Sequence, residues 1–107
     1  MHFHEQKCIG EQSLLELYGA VGWTAYTTDS KRLMKAVEQS LKVITVWQEK
    51  ELIGLIRSVG DGETILYIQD LLVHPAYQKQ GIGTELMKQM VEAYPCLLYT
   101  SPSPRDR

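Results

Sequence analysis

The chain has 107 residues, 44% hydrophobic and 22% charged, with 11 Lys and Arg against 13 Asp and Glu for a formal net charge of −2. That length suits one compact domain, and the ordinary composition excludes a collagen-like, mucin-like or wholly disordered chain. A weakly acidic balance without a basic cluster argues against nucleic acid as a partner. No apolar run nears the ~18 residues of a membrane helix, so no membrane partner is expected.

The opening residues Met1-His2-Phe3-His4-Glu5-Gln6-Lys7 lack a basic region leading into an apolar stretch, so no secretory leader is expected. Residues 2–9 alternate loosely and predict a strand. The two cysteines, Cys8 and Cys96, make neither a disulfide framework nor a metal site of usual spacing, which points to the reducing cytoplasm. Cys8 reads as a small buried hydrophobe. Leu14, Leu17, Tyr18 and Val21 recur at helical spacing, and Gly22 is the expected stop. Asp29 or Ser30 can cap a second helix, with Leu33, Met34, Val37 and Leu41 along one face.

From Val43 the period changes. Val43–Trp47 predicts a strand, Gln48–Glu51 a polar turn, and Leu52–Val59 a second strand forming a hairpin with the first. Gly60-Asp61-Gly62-Glu63 marks a turn. Thr64–Val73 is long and mostly apolar, as expected of a central strand covered on both faces, and His74-Pro75 ends it. Ile82, Leu86, Met87, Met90, Val91 and Tyr94 then form one wide helical stripe. The order β-α-α-β-β-β-α predicts an α/β layer protein that lacks its end.

The chemistry-bearing segment is Val73-His74-Pro75-Ala76-Tyr77-Gln78-Lys79-Gln80-Gly81-Ile82-Gly83-Thr84. A central strand ends, a short loop turns, and two glycines open a helix. The first turn of a helix carries backbone N–H groups without intrahelical partners and the positive end of the dipole. Without side chains at Gly81 and Gly83 an anion can approach that backbone, so the segment reads as a phosphate or pyrophosphate seat. The bland alternative is a tight turn packing helix on strand. Neither nucleotide fingerprint fits: Leu86 stands where GxGxxG needs its third glycine or alanine, and GxxxxGK[ST] is not met.

Gln78-Lys79-Gln80-Gly81-Ile82-Gly83 meets the Q/R-x-x-G-x-G/A signature, and with the lead-in Gln69-Asp70-Leu71-Leu72-Val73 the sequence resembles the GNAT superfamily of acyl-CoA-dependent N-acyltransferases. The element order of residues 2–95 agrees, and Tyr18–Tyr26 is similar to a bacterial GNAT subgroup with unassigned substrates. The resemblance implies the GNAT fold, an α/β architecture with a mixed sheet flanked by helices, with acetyl-CoA as co-substrate and a small-molecule or peptide amine as acceptor; no metal is expected. It implies that backbone amides of Gln78, Lys79, Gln80, Gly81, Ile82, Gly83 and Thr84 hold the pyrophosphate. The end of the central strand, Leu71, Leu72 and Val73, would pair with the pantetheine arm, and a bulge in that strand would open the acyl slot. Lys79 either adds charge near the phosphates or is a solvated lysine.

For the acceptor side, Trp23 and Tyr26 stand on the loop that walls the acceptor pocket in this family, or pack in the core. Gln69 occupies a place where relatives often carry a carboxylate. Asp70 is the nearest carboxylate on the strand, as base or as structural hydrogen-bonding group. Tyr67 lines the cleft or packs on the sheet. Arg57 meets an acidic group on the acceptor or an internal carboxylate. His2, His4 and His74 lack metal-ligand spacing. A non-catalytic acyl-CoA-binding module, acting as sensor or interaction partner, is the competing reading.

Residues 96–107 break from what precedes them. CLLYTSPSPRD resembles one reading frame of a transposase adapter used in sequencing libraries, which implies a natural domain over 1–95 and a non-native tail over 96–107. On that reading the domain is C-terminally truncated, missing its last strands and helix and the tyrosine acid that relatives carry there. The fragment is expected to be inactive, and because its next strand is missing from the outer edge of strand 64–73, residues 96–100 are expected to lie beside that edge. Any homodimer would be a property of the full-length protein on this reading.

Overall fold

The computed structural model describes residues 1–23, 27–61, 64–94 and 98–100. The elements are β1 (His2–Glu5), α1 (Glu11–Ala20), α2 (Ser30–Glu38), β2 (Lys42–Gln48), β3 (Glu51–Gly60), β4 (Ile65–Val73), a 3₁₀ turn (Pro75–Tyr77), α3 (Ile82–Ala93) and β5 (Leu98–Thr100). The order read from residues 2–95 is present, with one strand after it. The first strand stops at Glu5 instead of reaching residue 9, because the chain turns there to bury Ile9 in the cluster it shares with α1. Cys8 lies on that turn and is exposed, correcting its reading as a buried residue.

Helix ends follow local chemistry. At the close of α1, Gly22 takes φ +85°, the Gly22 N–H donates to Gly19 O, and the Trp23 N–H donates to Tyr18 O. These two bonds form a Schellman cap, which uses carbonyls the helix end would otherwise leave unpaired. Of the two candidate caps for α2, Asp29 does the work: its Oδ1 accepts from the Arg32 N–H at 3.2 Å.

The strands form one sheet in the order β1-β2-β3-β4-β5. The first four run antiparallel, and β5 runs parallel to β4 after the crossover through α3. Leu98–Thr100 pairs with Ile65–Tyr67, as expected of residues 96–100 laid beside this edge, so the start of β4's outer edge is covered. Among the described residues no strand pairs with that edge from Ile68 to Val73.

Each face of the sheet has its own apolar layer. Leu14, Leu17 and Tyr18 of α1 and Leu33 and Val37 of α2 pack on Val43, Leu52, Leu55 and Leu72. On the opposite face Ile82, Leu86 and Met90 of α3 pack on Ile44, Val46, Ile53, Ile56, Leu66 and Ile68. β4 is therefore covered on both sides, and each fully buried leucine is worth roughly 1.5–3 kcal/mol.

Two bulges interrupt the ladder. Trp47 faces Leu52 and Val46 faces Gly54, leaving Ile53 as an extra residue in β3. Arg57 faces Asp70 and Ser58 faces Ile68, leaving Gln69 as an extra residue in β4. The second bulge changes which face each side chain takes. Leu66 and Ile68 point toward α3, whereas Leu72, two alternations later, packs on the α1 side with Asp70. A regular strand would put residues 66, 68, 70 and 72 on one face.

At the other bulge, a Cβ added to Gly54 would lie 2.5 Å from Val46 Cγ1 and 3.3 Å from both Ile82 Cγ2 and the Leu72 carbonyl oxygen. Valine is stiff at χ1 and cannot swing clear. Gly54→Ala is therefore expected to destabilise the chain by about 1–3 kcal/mol, read as a lower urea midpoint with an unchanged slope.

Candidate functional site

The site is built at the end of β4. His74 leaves the strand with its N–H donating to Ile53 O at 2.8 Å, and its Nδ1 accepts from the Ala76 N–H at 3.0 Å, capping the 3₁₀ turn. The Gln78 side-chain Nε2 then donates back to the Val73 carbonyl at 3.0 Å, pinning the loop to the strand. Lys79 (φ +66°) and Gly81 (φ +81°) both take left-handed backbone. This reverses the chain sharply enough to start α3 with its N-terminus facing the strand end. Only glycine takes that conformation freely, and a Cβ at Gly81 would meet no atom within 4 Å, so the space beside it is open.

The first backbone bond of α3 runs from the Glu85 N–H to Gly81 O at 3.0 Å, and no side chain caps the helix. The amides of Ile82, Gly83 and Thr84 thus open onto a depression of about 140 Å³. It is lined by Val73, Tyr77, Gln78, Lys79, Gly81, Ile82, Gly83 and Thr84. Such a group of unused donors at the positive end of a helix dipole suits a di-anionic ligand group.

Most of the residues read as cofactor-binding meet here. Gln80 is exposed and does not line the depression, Leu71 is half-buried toward α3, and Leu72 is buried toward α1 and α2. The strand Leu71–Val73 leads into the depression, with its outer edge facing no other strand among the described residues. Tyr77 was missed by the sequence reading. It stands one residue before the motif, its ring 5.9 Å from that of His74, and its hydroxyl donates to Glu51 Oε1 at 3.5 Å.

The acceptor-side candidates separate. Arg57 and Asp70 turn inward: Arg57 Nε donates to Asp70 Oδ2 at 2.8 Å, and the two residues are 5% and 2% exposed. The Tyr18 hydroxyl donates to the same oxygen at 2.8 Å, and Arg57 Nη1 donates to Ser40 Oγ at 3.4 Å. Of the two readings for Arg57 the internal carboxylate is the one present, and the acceptor contact is corrected. Asp70 likewise makes the structural hydrogen bonds of its second reading, its Oδ2 accepting from both an arginine and a tyrosine. Trp23 packs edge-on to Tyr18, ring centroids 6.0 Å apart, as part of the α1-side core. Tyr67 is half-buried on β4, with its backbone facing Val59 and Thr100. Gln69 is the extra residue of the bulge. Tyr26 lies outside the described residues.

Among the described residues no buried side-chain nitrogen or oxygen lacks a hydrogen-bond partner. Burial pushes the Tyr18 hydroxyl well above its ordinary value, and the Asp70 charge adds to this against a smaller opposing pull from Arg57. For Arg57, burial pulls the guanidinium down but Asp70 and Tyr18 together outweigh it, so the net direction is up. Tyr18 and Arg57 are held protonated.

Known proteins share the sequence pattern and the fold. The sequence model of the acetyltransferase (GNAT) family matches residues 11–100. An uncharacterized N-acetyltransferase, ycf52-like, of Prochlorococcus marinus is 33% identical over 95 residues, covering 85% of this chain and 52% of the relative. The chain thus spans about half the length of that relative. A GNAT family acetyltransferase from Streptococcus pneumoniae superposes with a TM-score of 0.83 at 33% identity, over 97% of this chain and 76% of the other. An aminoglycoside 6'-N-acetyltransferase complexed with coenzyme A shares the fold, with a TM-score of 0.76 at 19% identity over 89% of this chain and 56% of its own.

The Tyr18 shift sets a pH dependence. Because the folded state keeps this proton more tightly than the unfolded chain, the stabilisation is complete below the unfolded value of about 10 and is lost as pH rises toward the folded value. Urea unfolding across that range is expected to show a decline in the wild type that is absent in Tyr18→Phe. That variant should start from a plateau lower by about 1–3 kcal/mol, the loss of one hydrogen bond to a charged acceptor.

Proposed function

The chain belongs to the acetyltransferase (GNAT) family, and on that premise we propose that it binds acetyl-CoA and serves acetyl transfer to a primary amine. The carrying observation is that, among the described residues, the amides of Ile82–Thr84 have no partner and open beside Gly81 onto a depression shared with Val73, the end of a strand whose outer edge there faces no other strand. These residues fit a thioester carrier with a diphosphate at one end and an amide-rich arm at the other. The diphosphate would take the amides at the head of α3, with Lys79 adding charge at the rim. The arm would take the Leu71–Val73 edge as an added strand does, by backbone hydrogen bonds. When bound, the carrier supplies an activated acyl group. Acceleration then comes from holding an amine nitrogen near that carbonyl, with backbone N–H groups near the Gln69 bulge available to the developing negative oxygen.

With Asp70 committed to Arg57, the base that takes the amine proton is assigned to water or to a group other than Asp70. The acceptor class follows from the reaction type: a small-molecule or peptide amine.

Calorimetry with coenzyme A tests this reading directly, and the wild-type chain is expected to bind. Thr84 is exposed and lines the depression, so Thr84→Asp should leave the fold intact, since a carboxylate in a first helical turn favours the dipole. It should weaken coenzyme A by about tenfold or more through repulsion of the diphosphate. Equal affinity in the two proteins would remove the helix head from the site. A thiol-release assay over a panel of amines separates an enzyme from a module that only binds.

A further inference from the structure

We propose that the buried Tyr18–Asp70–Arg57 network is a positioning device that holds the β4 bulge at Gln69 and so sets the backbone of Leu71–Val73 on which the acyl carrier's arm would lie. The proposal rests on the acyl-CoA reading above and adds residues that touch neither carrier nor acceptor.

The case begins with register. β4 has an extra residue at Gln69, and a bulge can in principle form at other points along an antiparallel pair. Each choice assigns the following side chains to different faces. With the bulge at Gln69, Asp70 faces α1 and finds Arg57 and Tyr18, each at 2.8 Å. With the bulge shifted beyond residue 70, plain alternation would turn Asp70 to the face of Leu66 and Ile68, where Ile56, Leu86 and Met90 pack. A carboxylate buried there without its partner is strongly disfavoured, so the ion pair selects one bulge position out of several. Hydrophobic burial alone does not discriminate as sharply, because Leu71, Leu72 and Val73 are apolar and suit either face.

The second strand of the case is anchorage. Tyr18 belongs to α1, Arg57 to β3, and Ser40 follows α2, with its Oγ donating to Ala36 O at 2.8 Å while accepting from Arg57. The bulge is therefore referenced to the whole layer on that side of the sheet. β5 pairs with β4 as far as Tyr67, so the network sits where, among the described residues, the outer edge meets no further strand. From Gln69 to Val73 is about 13 Å of extended chain. At its far end the Val73 carbonyl is tied by Gln78 to the depression at the head of α3. Moving the bulge would move that edge relative to the helix amides and leave the amides themselves in place.

The test compares coenzyme A with adenosine 3′-phosphate 5′-diphosphate, which carries the diphosphate and lacks the pantetheine arm. Calorimetry is run on wild type, Tyr18→Phe, and the paired change Arg57→Met with Asp70→Leu, which removes both charges together and so avoids an orphaned ion. Both variants are expected to weaken coenzyme A by about five- to tenfold while the arm-less ligand stays within about twofold, the factor assigned to the untouched helix head. Amide hydrogen exchange without ligand should quicken at residues 69–73 while α3 is unchanged. If the paired change does not fold, Tyr18→Phe decides. Equal loss of both ligands, or unchanged affinities with unchanged exchange, overturns the positioning role. Wild type that binds neither ligand overturns the acyl-CoA reading instead, and exchange at 69–73 then still decides whether the network holds the bulge.

Discussion

A carboxylate removed from water has to be met by donors, and at Asp70 that requirement draws together parts of the chain far apart in sequence. Tyr18 lies 52 residues away and Arg57 13 residues away, yet both donate to the same oxygen. Desolvating two charges costs several kcal/mol per ion, which their attraction offsets only when geometry and further hydrogen bonds are good. Here they are good, with Ser40 taking a further guanidinium donor. The arrangement explains how a strand rich in interchangeable apolar residues settles on one register. It also explains why α1 packs where it does, since its buried tyrosine needs an acceptor for its hydroxyl.

The region read as the carrier site is made of backbone more than of side chains. Amides at the head of α3 and the outer edge of β4 are the available groups, and the side chains around them shape and tether. Gln78 holds the loop to Val73, His74 caps the 3₁₀ turn, and the left-handed residues Lys79 and Gly81 aim the helix. Sequence demands are accordingly concentrated where backbone must do something unusual, as at Gly81, and relaxed elsewhere. The two apolar layers then act as a frame: Ile82 is both the first residue of α3 and part of the core against Gly54, so the donors are rigidly tied to the sheet.

Periods of 2 and 3.6 residues are local properties, and everything that depends on them could be read from the residues in order. The strand at Val43–Trp47, the stripe from Ile82 to Met90, the stop at Gly22 and the cap at Asp29 all reappear in the structure. So do the glycine-opened helix after His74-Pro75 and the depression lined by Gln78–Thr84 except Gln80, because a helix start exposes its amides whatever surrounds it. The identity of each partner was another matter. Whether Arg57 met a ligand or an internal carboxylate, whether Trp23 walled a cleft or packed on Tyr18, and whether Cys8 was buried all turned on which distant segments share a face. One extra residue at Gln69 reverses that assignment for the rest of β4, and its position depends on the neighbouring strand and the helix layer, which no local pattern records. Local chemistry alone thus determined the elements and the helix-head donors, while the inward turn of Asp70 was decided only by the tertiary fold, because a buried charge goes where its partners are.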